Sequence, residues 1–422
     1  MNRIVILKNE IKEYAWGSRT FIPELTGMPS PCEKPQAEMW LGAHPSASSM
    51  ALMDNMQIPL NELIKKDIKG TLGMSVADKF SNSLPFLLKV LAAAKPLSIQ
   101  AHPDKEQARR GFRRENSKEI PFDSPNRNYK DQNHKPELIC ALTPLWALKG
   151  FRRNKDIIEL MDKLDASAIG LKTDLLKNQP GKEGLKSFFS SLLTMDKERQ
   201  NHVVEKIMGI VKGMETSEHA FEWMKRICKE YPGDIGVLSP LFLNVVSLKP
   251  TEAMYIASGE LHGYLEGAGL ELMANSDNVI RGGLTPKHID VTELIDILEF
   301  TPHEPKIIRP EHIGNNEAVY RTGNDEFMLS VISLQGGARE GSIYRGPGLR
   351  NAEIIICTAG KARVEDIRKG DILDVSRGMS LFIPASVEGY IINGEATIYK
   401  ATAPLCHASQ VMPATLSGDP LL

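Results

Sequence analysis

Apolar residues recur in two different rhythms along this chain, and the change of rhythm divides it. Up to about residue 150 the apolar runs are short and broken by turn formers. The longest, residues 84–97, predicts one or two buried strands ending in polar residues. Residues 29–35 hold three prolines and predict a loop. Residues 57–79 predict part helix, because Leu60, Leu63 and Ile64 recur at helical spacing.

From Asn154 to about Glu230 the period becomes helical. Ile157, Leu160, Met161 and Leu164 follow one helix face, as do Leu185, Phe188, Phe189 and Leu192. The spacing returns at Val203, Val204, Ile207, Ile210 and Val211, and again at Phe221, Met224 and Cys228. Pro180-Gly181 and Pro232-Gly233-Asp234 mark stops. Strand-like sequence resumes at 237–248, so the helices read as one insertion into a β unit. Further strands are predicted at 253–257 and on towards Tyr264. Past a proline-bounded connector at 302–310 they return at 327–334, 353–359, 380–383 and 389–400. The division that follows is a β unit begun at 1–150 and resumed at 237–325, a helical insertion at 151–236, and a C-terminal β unit at 326–422. The fold class is mainly β with an α-helical insertion.

Candidate chemistry begins where the long apolar run ends, at Leu97-Ser98-Ile99-Gln100-Ala101-His102-Pro103-Asp104-Lys105. Side chains alternate faces along a strand, so Gln100 and His102 project from one face and can converge on a ligand. Glu137, in His134-Lys135-Pro136-Glu137, and His262, in Glu260-Leu261-His262-Gly263-Tyr264, complete a set of two imidazoles, one carboxylate and one amide oxygen. That set suits a borderline ion such as zinc, with positions left for water or substrate. Spacing alone leaves a second reading open, in which His102 is a hydrogen-bonded histidine at a strand end. Trp16, in Tyr14-Ala15-Trp16-Gly17, likewise reads either as packing or as the wall of a pocket.

These segments resemble those of the type I mannose-6-phosphate isomerases, a zinc-dependent cupin family. The matching blocks are residues 14–18, 37–45, 100–105, 133–138 and 274–287, in the family's order. The last reads Ala274-Asn275-Ser276-Asp277-Asn278-Val279-Ile280-Arg281-Gly282-Gly283-Leu284-Thr285-Pro286-Lys287. The resemblance implies a double cupin of two jelly-roll β-barrels, the second without metal ligands, since no His follows Ile383-Pro384. It implies one Zn2+ per chain on Gln100, His102, Glu137 and His262. The implied reaction interconverts D-mannose 6-phosphate and D-fructose 6-phosphate through a cis-enediol, feeding mannose metabolism and GDP-mannose supply. Arg281 would stabilise the enediolate with Asp277 orienting it, Ser98 and Lys287 would take the phosphate, and Trp16 and Tyr264 would line the sugar pocket. Lys135 and Glu271 are both candidates for the proton-transferring base. His44 and His134 are assigned to supporting hydrogen bonds. The chain departs from the family at Lys249-Pro250-Thr251-Glu252, at Gly259-Glu260-Leu261, and at Lys149, where many relatives carry Cys. An iron-dependent cupin oxygenase and a sugar-phosphate binder without turnover are the rival readings.

Composition narrows the partners. With 422 residues, 42% hydrophobic and 25% charged, the make-up is ordinarily globular, with room for two or three domains. A net charge of -2, without a basic cluster interleaved with aromatics, argues against nucleic acid. No window approaches about 18 uninterrupted apolar residues, and the apolar start is too short for a signal peptide. A cytoplasmic monomer acting on a small sugar phosphate, away from membranes, is therefore expected. Cys32, Cys140, Cys228, Cys357 and Cys406 are far apart with no Cys-x-x-Cys pair, which predicts reduced, mostly buried thiols.

Overall fold

The computed structural model describes residues 2–53, 56–336 and 343–405. Among them, two large antiparallel sheets carry the fold, one of ten strands and one of eleven, and helices pack on one face of the first. The strand Phe86–Ala93 realises the long apolar run, with every residue buried. Phe86, Leu88, Val90 and Ala92 join the core between the two sheets, so Leu87, Lys89, Leu91 and Ala93 face the other way. After the short strand Ile99–Ala101 the chain turns into the helix Lys105–Ser117, started by a capping box between Asp104 and Gln107.

The insertion comprises the helices Asn154–Asp162, Asp174–Asn178, Lys182–Leu193, Lys197–Gly213 and His219–Glu230. Their apolar stripes bury against the outward side chains Ile99, Ala101 and Leu148 of the ten-stranded sheet. Ile210 is the exception: it is 39% exposed, because Ile207 and Val211 already fill the buried face of its helix.

Two boundaries differ from the sequence reading. The strand Val5–Lys8 and the hairpin of Met50–Met53 with Met56–Pro59 pair into the eleven-stranded sheet, Val5 opposite Phe382, rather than with the rest of 1–150. The hairpin of Glu311–Gly314 with Glu317–Tyr320 also belongs there, so that sheet begins before residue 326. Periodicity reports which residues are buried, and it carries no label for the sheet a strand joins. Cys140 and Cys357 are buried thiols, Cys32 and Cys228 are half-buried, and Cys406 lies outside the described residues.

The inward face of the ten-stranded sheet is divided along its length. One end is an apolar cluster containing Leu91, Ala93, Ile139, Ala141, Ala147, Met254 and Tyr264. The other carries Glu38, Lys89, Lys135, Glu137, His102, His262 and Glu271, all buried. Charged groups are rarely buried without partners or a ligand, so this end is where function is sought.

Candidate metal centre and its pocket

Register assembles the site from distant segments. His262 lies directly opposite Gln100 and Lys149, and Gln100 lies opposite Arg281, so these four side chains share one face. A bulge between Tyr264 and Glu266 then shifts the alternation of the long strand His262–Ala274. Beyond it Glu271 pairs with Lys89 and Ile139, on the same face as His262 and Tyr264. Glu137, at the start of strand Glu137–Ala141, is on that face as well, two residues before Ile139.

His102, Glu137 and His262 are wholly buried, and their candidate ligand atoms all lie within 4.8 Å of one another. His102 Nε2 is 3.2 Å from Glu137 Oε1, and His262 Nε2 is 3.3 Å from Glu137 Oε2. The opposite ring nitrogens are spoken for: His102 Nδ1 donates to the Asn278 carbonyl at 2.7 Å, and His262 Nδ1 to the Glu260 carbonyl at 3.0 Å. That arrangement leaves each Nε2 with its lone pair aimed at the carboxylate. Burial, helped by the Lys135 charge, pushes the His102 pKa down to about 4, against the pull of Glu137, so the ring is neutral. Burial works to raise the Glu137 pKa, but the Lys135 charge leads the opposing causes and the carboxyl is held well below its usual range. Among the described residues, both Nε2 atoms and both Glu137 oxygens are buried without a well-formed hydrogen bond. Four orphaned donor atoms of the right types around one point fit a divalent cation such as zinc. Gln100 is half-buried on the same face, and its amide makes no hydrogen bond with a described residue.

Beside this centre lies a buried chain of charges. Lys89 Nζ is 2.9 Å from Glu271 Oε2 and 4.0 Å from Glu38 Oε2, and Trp40 Nε1 donates to Glu38 Oε2 at 2.7 Å. Burial alone would lower the Lys89 pKa, but Glu271 and Glu38 more than offset it and the net shift is upward, so Lys89 stays charged. Among the described residues the buried Tyr264 hydroxyl makes no well-formed hydrogen bond, and burial together with the nearby Glu271 and Glu137 charges raises its pKa well above the usual value. Lys135 Nζ stands 3.1 Å from Glu137 Oε1. Lys89 and Glu38 were not singled out from sequence. The available signal was a lysine in the middle of an otherwise apolar strand.

Arg281 is half-buried, its pKa lowered by burial, and it has no ion-pair partner among the described residues. Lys287 is exposed, and partial desolvation with the neighbouring Arg281 charge lowers its pKa. The expected Asp277 to Arg281 pairing is not formed, because the Asp277 carboxylate turns to His44 Nε2 at 3.5 Å. His134 Nε2 lies 2.8 Å from Glu326 Oε1, tying the site's edge to the second sheet. Ser98 is half-buried, two residues before Gln100. Trp16 packs against the apolar cluster that includes Tyr264. Its neighbour Tyr14 has its pKa raised by burial and then by Glu38, which places that hydroxyl nearer the charged end.

Comparison with known proteins gives a concordant result. Family models match residues 4–154 as the phosphomannose isomerase type I catalytic domain and residues 161–243 as its helical insertion domain. A mannose-6-phosphate isomerase of Salmonella typhimurium is 40% identical over 84% of this chain and 89% of its own length. The Homo sapiens enzyme is 33% identical over 91% and 94%. A zinc-bound crystal structure of a mannose 6-phosphate isomerase superposes with a TM-score of 0.87 at 36% identity, covering 95% of this chain and all of that one.

Proposed function

This chain belongs to the type I phosphomannose isomerases, and from that membership we propose that it interconverts D-mannose 6-phosphate and D-fructose 6-phosphate through a cis-enediolate at a zinc site. The observation that carries the reading is the cluster of orphaned donor atoms on His102, Glu137 and His262, near an Arg281 that has no ion-pair partner among the described residues. In this reading the two sheets are the two barrels of a double cupin. His102 Nε2, Glu137, His262 Nε2 and the Gln100 amide oxygen would hold one zinc ion, which supplies Lewis-acid polarisation of the substrate oxygens when bound.

The chain's own groups do the rest. Moving a proton between C1 and C2 needs a base beside those carbons, a cation beside the oxygens and a grip on the phosphate. Glu271 binds Lys89 through Oε2 and stands close to the Tyr264 hydroxyl, and its second carboxylate oxygen is the atom assigned to take the proton. Lys135 is the alternative base, but its Nζ is already engaged with Glu137. Arg281 has donors to spare for the developing enediolate, while Lys287 and Ser98 reach the phosphate and Trp16, Tyr264 and Asp277 bound the sugar. The product would supply mannose-derived glycan precursors such as GDP-mannose.

Conversion of mannose 6-phosphate to fructose 6-phosphate by the purified protein, before and after chelation and zinc return, tests the whole. Turnover lost to chelator and restored by zinc supports the assignment. Absence of turnover in zinc-loaded protein overturns it.

A further inference from the structure

The second sheet holds a cavity of about 780 Å³ that none of the metal-centre residues lines. At its edge is Arg350, only 5% exposed. Its Nη1 donates to the Pro347 carbonyl at 2.7 Å, while Nε and Nη2 are buried without hydrogen bonds among the described residues. The guanidinium is held over the Tyr390 ring, 5.2 Å from its centroid.

The nearby acids do not satisfy it. Glu353 Oε2 is 3.8 Å from Arg350 Nε, beyond hydrogen-bond reach, and takes the Tyr390 hydroxyl at 2.8 Å instead. Glu317 is occupied by Lys400 at 2.8 Å, by Tyr344 and by Ser330. Lys400 is thus paired at hydrogen-bonding distance, whereas Arg350 has only the longer ion pair with Glu353, which leaves its Nε and Nη2 hydrogen bonds unmade among the described residues. A buried guanidinium with unmade hydrogen bonds is costly unless something fills them, and the Nε/Nη2 edge matches two oxygens of one carboxylate or phosphate.

The rim gives the rest of the ligand. Leu349 is 77% exposed and Leu405 is 40% exposed at the cavity mouth, with Arg321 among the lining residues. Exposed apolar side chains around a buried cation fit a ligand with an anionic head and an apolar body.

We propose that the Arg350 cavity is a second ligand site, for a small organic carboxylate or phosphate monoester with an apolar substituent. It is independent of the isomerase reading. The test uses the zinc-loaded Arg281→Met/Lys287→Ala protein, so that the catalytic anion site is weakened, and binding there is told apart by its indifference to changes at Arg350 and Leu349. Benzoate, phenyl phosphate and inorganic phosphate are titrated by calorimetry. Saturable binding of benzoate or phenyl phosphate is expected, and the tighter of the two identifies the head group. Adding Arg350→Met should weaken it roughly tenfold or more. Adding Leu349→Glu, an exposed change that places a carboxylate at the mouth, should also weaken it while leaving the melting temperature unchanged. Should Arg350→Met fail to fold, Leu349→Glu decides. No saturable binding of any probe, or binding untouched by these changes, overturns the proposal.

Discussion

Lys89 and Glu271 meet across neighbouring strands as a buried ion pair, Nζ to Oε2 at 2.9 Å, with Glu38 as a second acid 4.0 Å from the same ammonium. The pairing engages one Glu271 oxygen, and it leaves a buried carboxylate that depends on Lys89. Replacing Lys89 by Met should destabilise the fold by about 3–5 kcal/mol, the cost of stranding a buried charge. Glu271→Gln should lower kcat on the order of 10²–10⁴-fold and stop exchange of the substrate C2 proton with solvent. Lys135→Met should retain that exchange. Loss of exchange in the Lys135 variant alone would transfer the base role to Lys135.

Arg281 and Lys287, neither with an ion-pair partner among the described residues, are neighbouring cations, one half-buried and one exposed. Removing a donor that meets developing charge costs about 10²–10³-fold, so Arg281→Met should reduce kcat and kcat/KM together by that order. Lys287→Ala should raise KM with kcat nearly kept, and the effect should shrink at high salt. Steady-state kinetics at two ionic strengths separates the roles.

Gly267 follows the bulge that turns Glu271 to the His262 face. Its φ is +113°, and a Cβ there would meet the Pro144 carbonyl oxygen at 2.4 Å and Leu145 Cα at 2.7 Å. Gly267→Ala therefore combines backbone strain with a backbone clash, and should cost about 1–3 kcal/mol or more. Thermal melts measure the cost. An unchanged melting temperature would show that the bulge is not a tight constraint.

His44 carries a pH dependence. Burial lowers its pKa from the ordinary 6.5, against the opposing Asp277 carboxylate. The unfolded chain then binds a proton more readily than the folded one. Stability from this group is full above the ordinary histidine range and is lost as pH falls towards the lowered value. Melting temperatures near about pH 7 and about pH 5 should differ less in His44→Gln than in the parent. An equal difference in both proteins would remove His44 from the account.

Much of this protein was legible in its residues. The helical insertion follows from a period that only an amphipathic helix satisfies, and Ile157, Phe188, Ile207 and Met224 are buried as that period requires. Strand alternation put Gln100 and His102 on one face, and the family resemblance of the surrounding blocks supplied the roles expected of Glu137, His262 and Arg281. What the sequence could not determine was longer in range. Strict alternation separates His262 from Glu271, an odd number of positions apart. A bulge between Tyr264 and Glu266, seen as a shift in register against the neighbouring strand, brings them to one face. Asp277 could as well have met Arg281 as His44, and the fold chose His44. Which sheet received Val5–Lys8 depended on a partner at Ser380–Ile383, more than 370 positions away. Local patterns set periodicity and burial because those depend on neighbours in the chain. Face sharing across a bulge, ion-pair partners and sheet membership depend on contacts that exist only once the chain has closed on itself.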